Sequence, residues 1–150
     1  MSTETKGTRL ISVEGALGAL ALAACLILTV VVWIVVGQQQ VMWPLPGIDL
    51  VEVVLLTLLG AWGLFRADNA GVLLAWVASG MLLAFSVIDG SSIGLYYLPV
   101  AALLGLAGVW CDRQAWNRLP LHVCAALVTA WAQAALLLIL VRVFAPNAVF

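Results

Sequence analysis

Five long apolar runs, almost free of charge, dominate this chain and leave it little choice of fold. They extend from Leu10 to Val36, Ile48 to Phe65, Ala70 to Ile88, Ile93 to Trp110 and Leu119 to Phe144. A helix rises about 1.5 Å per residue, so about 17–25 apolar residues cross the hydrocarbon of a bilayer. Every run reaches that length, and the first and last exceed it enough to tilt or project. Backbone groups in lipid must be paired within the segment, and none of the runs alternates apolar with polar residues as a barrel strand does. The expected fold is therefore all-α: a polytopic transmembrane bundle of five helices with short loops. Residues 1–150 are read as a single integral membrane domain.

Composition closes off the other classes. Hydrophobic residues make up 65% of the chain and charged ones 9%, against about 45–50% and about 25% in soluble domains. Disordered chains are poor in apolar residues and rich in charge, the reverse of this one. A net charge of −1 supplies no basic field, so no nucleic-acid partner is expected.

The connections carry turn chemistry. Gly37 ends the first run, and Pro44, Pro46 and Gly47 lead into the second. Arg66 to Asn69 suits only a tight antiparallel hairpin. Gly90 with Ser91 or Ser92 offers a stop and a cap, and Pro120 sits where a first helical turn tolerates it. Lys6, Arg9, Arg66, Arg113 and Arg118 all fall on one side of a five-span arrangement, with only Arg142 near the other. The positive-inside rule then places the chain in a cell (inner or plasma) membrane, N-terminus cytoplasmic and C-terminus outside. Trp33, Trp43, Tyr96 and Tyr97 would mark the outer interface, and Trp62, Trp110 and Trp116 the inner one.

Leu22-Ala23-Ala24-Cys25 resembles the lipobox before an acylated lipoprotein cysteine. Glu14 interrupts its apolar region and Leu26 to Val36 continues as membrane span, so an unprocessed helix is the preferred reading. Cys111 and Cys124 lie thirteen residues apart in a chain with one histidine, which suits neither a zinc nor a dithiol site. No metal and no cofactor are expected: bis-histidine haem ligation, iron–sulfur ligation and a phosphate loop all lack their residues.

Small residues repeat every fourth position as Gly15, Ala19 and Ala23; Gly71, Ala75 and Ser79; Ala101 and Gly105; and Ala126, Ala130 and Ala134. Such stripes let helices approach closely, within the chain, with a second copy, or with other membrane subunits.

Ionisable groups within or beside the spans are the functional candidates. Asp49 and Glu52 share a helix face near Asp89 in depth, and the three carboxylates could bind a cation or relay protons. The preferred reading of Asp49 and Glu52 is a capping box at the start of the second helix. Arg142 could tie the last helix to this acidic cluster or snorkel to the headgroups. At the other end, Glu14 and His122 lie at similar depth and could pair, with histidine as a switch near neutral pH. Local roles at the membrane interface are preferred for both. Gln133 and Trp131 are expected to bridge helices. With no nucleophile–base set in view, the expected function is a non-catalytic accessory or scaffolding subunit of a membrane assembly. The alternative is a small oligomeric transporter or channel with an outer acidic cluster.

Overall fold

The hairpin between the second and third helices shows how little polar sequence is needed to turn this chain. Asp68 accepts the backbone N–H of Gly71 on Oδ1 at 2.6 Å, and its backbone carbonyl accepts Val72 N–H. That is an N-cap, which satisfies orphan donors of the new helix. Arg66 reaches Asp68 Oδ2 through Nε and Nη2 at 3.1 and 3.0 Å, and stacks its guanidinium 5.1 Å from the Trp62 ring. The Gly71 N–H, followed by the Arg66 charge, holds the Asp68 carboxyl below its ordinary value of 3.8. A lowered value means that the contribution is present above pH 3.8 and lost as pH falls below it. Asp68→Asn is therefore expected to melt earlier than wild type at neutral pH, with the gap closing in acid. Thermal unfolding in detergent across that range checks it, and a gap independent of pH would count against the charge-based account.

The computed structural model describes residues 13–38, 47–66, 68–88, 93–113 and 118–144. Its helices are α1 (Val13–Gly37), α2 (Gly47–Arg66), α3 (Asn69–Ile88), α4 (Leu98–Cys111) and α5 (Leu119–Phe144), with a 3₁₀ turn over Gly94–Tyr97 leading into α4. Among the described residues, five segments are long and apolar enough to cross a membrane, the fourth being the 3₁₀ turn and α4 together. The polytopic all-α bundle expected from the sequence is the one observed. The 3₁₀ entry to the fourth span departs from a single uninterrupted helix, and its cause is Pro99. Proline has no N–H to give the Leu95 carbonyl, which accepts the N–H of Leu98 one residue earlier instead.

Helix α3 is the hub. It packs on α2, α4 and α5, while α1 packs on α2 and α4, so α1 to α4 form a ring and α5 leans on α3 from outside. Small residues set these contacts. A Cβ on Gly63 would collide with the Gly71 carbonyl oxygen, and one on Gly60 would sit 3.0 Å from the Ala78 Cβ, so α2 and α3 cross backbone to backbone. Gly105 of α4 accommodates the Ser79 hydroxyl, which donates to the Ala101 carbonyl at 2.9 Å. Gly80 of α3 faces the Ala126 backbone of α5 just as closely.

The small-residue stripes in α3 and α4 lie on packed faces; in α5 Ala126 meets a neighbouring helix backbone, while Ala130 and Ala134 are half-buried, and of the α1 stripe only Gly15 is buried. Ala19 and Ala23 are exposed, and α1 buries Gly18, Ala21, Cys25 and Val32 instead, with Gly18 against Leu64. Tyr97 also departs from its expected place at an interface. It is fully buried, shares a 3.1 Å hydrogen bond with Thr29 of α1 and meets Phe85 edge-on. Trp33, Trp62, Tyr96 and Trp110 are exposed. Trp43, Trp116, Gly90, Ser91 and Ser92 lie outside the described residues.

Candidate functional site

Two polar groups on one face of α5 hold that helix to the rest of the chain. His122 and Gln133 are eleven residues apart, three helical turns, so they project from the same side, and both are 1% exposed.

His122 lies in the first turn of α5, whose Leu121 and His122 N–H groups donate to the Arg118 carbonyl. Its Nδ1 sits 2.8 and 2.9 Å from the two carboxylate oxygens of Asp112. Asp112 follows the last residue of α4, where one wider turn continues the helix, and its backbone N–H still donates to Gly108 and Val109. The third member is Trp76 of α3, whose indole N–H donates to Asp112 Oδ2 at 2.9 Å. Gly108 makes this reach possible, since a Cβ there would stand 2.8 Å from Trp76 Nε1. One fully buried carboxylate thus ties three helices together. A carboxylate that accepts from Nδ1 fixes ring orientation, as it does behind metal-bound or catalytic histidines. Among the described residues, however, no group of three His, Cys, Asp or Glu side chains gathers to hold a metal ion.

Gln133, midway along α5, donates from Nε2 to Glu52 Oε1 of α2, reaching past α3. Its own Oε1 is buried and has no hydrogen-bond partner. Glu52 therefore serves no cap. Helix α2 begins at Gly47, so Asp49 lies in its first turn and Glu52 in its second, too deep for a capping box. Asp49, half-buried, is placed to interact with the positive end of the helix. Arg142 is exposed and, among the described residues, forms no ion pair with Glu52. Asp89 and the side chain of Glu14 lie outside the described residues, and the Nδ1 of His122 is taken by Asp112.

Gln133 bridges helices as expected, whereas Trp131 is 78% exposed. Trp131 instead flanks an open groove of about 330 Å³ between α3 and α5, floored by Ala84, Ala130 and Ala134. Cys111 and Cys25 are buried and Cys124 is exposed. Asp112 and Trp76 escape a reading of sequence alone because Asp112 looks like a loop residue and Trp76 like any apolar aromatic. Asp112 stands ten residues before His122 across one short loop, and that spacing is the available signal. Comparison of the chain with protein-family models, with curated proteins and with solved structures finds no match.

Proposed function

We propose that the protein is a non-catalytic accessory or scaffolding subunit of a membrane assembly. In this reading it resides in a cell (inner or plasma) membrane with its N-terminus cytoplasmic, as the cation distribution supports. The observation that carries the proposal is the groove between α3 and α5. Its floor of small side chains would let a further helix approach closely, and Leu83, Val87, Leu127 and Trp131 supply apolar walls. The polar side chains of α5 also support it. His122 and Gln133 each tie α5 to another element, which keeps a peripheral helix in register while its other face stays free for contact.

Extraction in mild detergent, followed by mass and composition of the complex, tests the proposal. A stoichiometric second protein that is lost with Ala130→Leu, which fills the groove, is the expected result. A homo-oligomer alone would sink it and favour the second reading, a small oligomeric transporter or channel. That reading draws its support from the Glu52 carboxylate set within α2, and flux measured with Glu52→Gln and Asp49→Asn proteins would then decide it.

A further inference from the structure

Gln133 poses a problem that its own hydrogen bond does not solve. The side chain is 1% exposed and satisfies Glu52 with its amide N–H, yet its carbonyl oxygen faces no donor. A buried acceptor beside a half-buried carboxylate is unfavourable in an apolar surrounding, because the orphan oxygen has no donor and the negative charge has the single amide N–H. Turning the amide over does not help. Two oxygens would then face each other and still need a positive centre between them.

One small positive species resolves both deficits. A proton on Glu52 makes the pair a cyclic acid–amide dimer: the carboxyl O–H donates to Gln133 Oε1 while Gln133 Nε2 donates to the other carboxyl oxygen. A sodium ion between carboxylate and amide oxygen fills the same position with oxygen ligands, as a hard cation prefers. Among the described residues no cation is paired with Glu52. Arg142 is exposed and unpaired with Glu52, and Met81–Ile88 of α3 contains no ionisable group. Arg66 lies at the far end of α2, paired with Asp68, and His122, three turns away on α5, is bonded to Asp112. Asp49 on α2, Cys25 on α1, whose thiol points to the Val53 carbonyl, and Tyr97, which is bonded to Thr29, carry no positive charge.

We infer that Glu52 and Gln133 form a binding site for one small monovalent cation, H⁺ or Na⁺, within the membrane-spanning bundle. The site stands apart from the scaffolding reading and does not depend on it. Its consequence is that occupancy and the docking of α5 on α2 and α3 are linked.

Infrared spectra of the full chain in lipid nanodiscs, taken at fixed pH in sodium or in N-methylglucamine buffer, test the site and separate the two ions. A proton gives a protonated-carboxyl carbonyl band above the amide I region. That band should vanish in Glu52→Gln, shift to higher frequency in Gln133→Leu as a hydrogen bond is lost, and ignore sodium. Sodium instead gives a carboxylate band that moves between the two buffers, with a thermal midpoint raised by sodium, and both effects should disappear in Glu52→Gln. Either pattern supports the site. Absence of both, or a protonated band indifferent to Gln133→Leu, overturns it. Should Glu52→Gln fail to fold, carbon-13 labelling of glutamate in the wild type and in Gln133→Leu reads the same bands.

Discussion

A Gly80→Leu protein is expected to lose the seat of α5. A Cβ at Gly80 would collide with the Ala126 carbonyl oxygen and come within 2.9 and 3.0 Å of the Ala126 carbonyl carbon and Cα. These are backbone atoms, so no rotamer change relieves the contact, and the two helices must separate. Overpacking a core costs about 1–3 kcal/mol, and a clash against backbone falls at the upper end of that range. The separation also spreads along the helix. His122 lies one turn before Ala126 and Gln133 two turns after it, so both polar ties lengthen together. Gly80→Ala should act in the same direction but less strongly, and Ala19→Leu on the exposed face of α1 should leave stability unchanged. Thermal unfolding in detergent orders the three. A Gly80→Leu midpoint equal to that of Ala19→Leu would refute the close α3–α5 crossing.

Asp112→Ala is the polar substitution expected to harm the fold most. It strips the acceptor from His122 Nδ1 and Trp76 Nε1 at once, at a position with no exposed surface. Removing one partner of a buried polar pair costs about 3–5 kcal/mol, because the remaining group stays buried without compensation. Replacing both members relieves that debt, so Asp112→Leu with His122→Leu should be more stable than Asp112→Ala. A double-mutant cycle on Asp112→Ala and His122→Ala reads the coupling directly. Additive losses would mean that the two side chains do not depend on each other.

The contrast between charged and apolar stretches made the five spans legible, and Arg66 to Asn69 could be read as a turn because nothing else fits so short a polar stretch. The helix faces were much harder to read. Where every side of a helix is apolar, no polarity contrast separates the side that meets lipid from the side that meets protein. In α1 a spacing of four picked out Gly15, Ala19 and Ala23, yet of these only Gly15 is buried, together with Gly18, Ala21 and Cys25. The rare polar residues are the better guide within a membrane, since burial against other helices is their cheapest environment. On α5, His122 and Gln133 mark the packed face, with the buried Leu137 one turn beyond Gln133. Their partners were out of reach for a different reason. Glu52 is 81 residues from Gln133 and on a helix that barely touches α5, so no local pattern links them.

The numbering of the contacts also fixes how the last helix runs. Trp76 and His122 share Asp112, and Gly80 meets Ala126, so residue numbers rise together along α3 and α5. They run parallel, with α4 returning between them. Parallel neighbours cannot be joined by a tight hairpin, so α5 reaches α3 only after α4 has crossed back. During synthesis α1 to α4 can close their ring before α5 leaves the ribosome, and α5 arrives at a finished surface. Until it does, Gly80 and the carboxylates of Asp112 and Glu52 lack their partner on α5. The stretch between the emergence of α4 and that of α5 is therefore when the polar groups of this chain are least compensated.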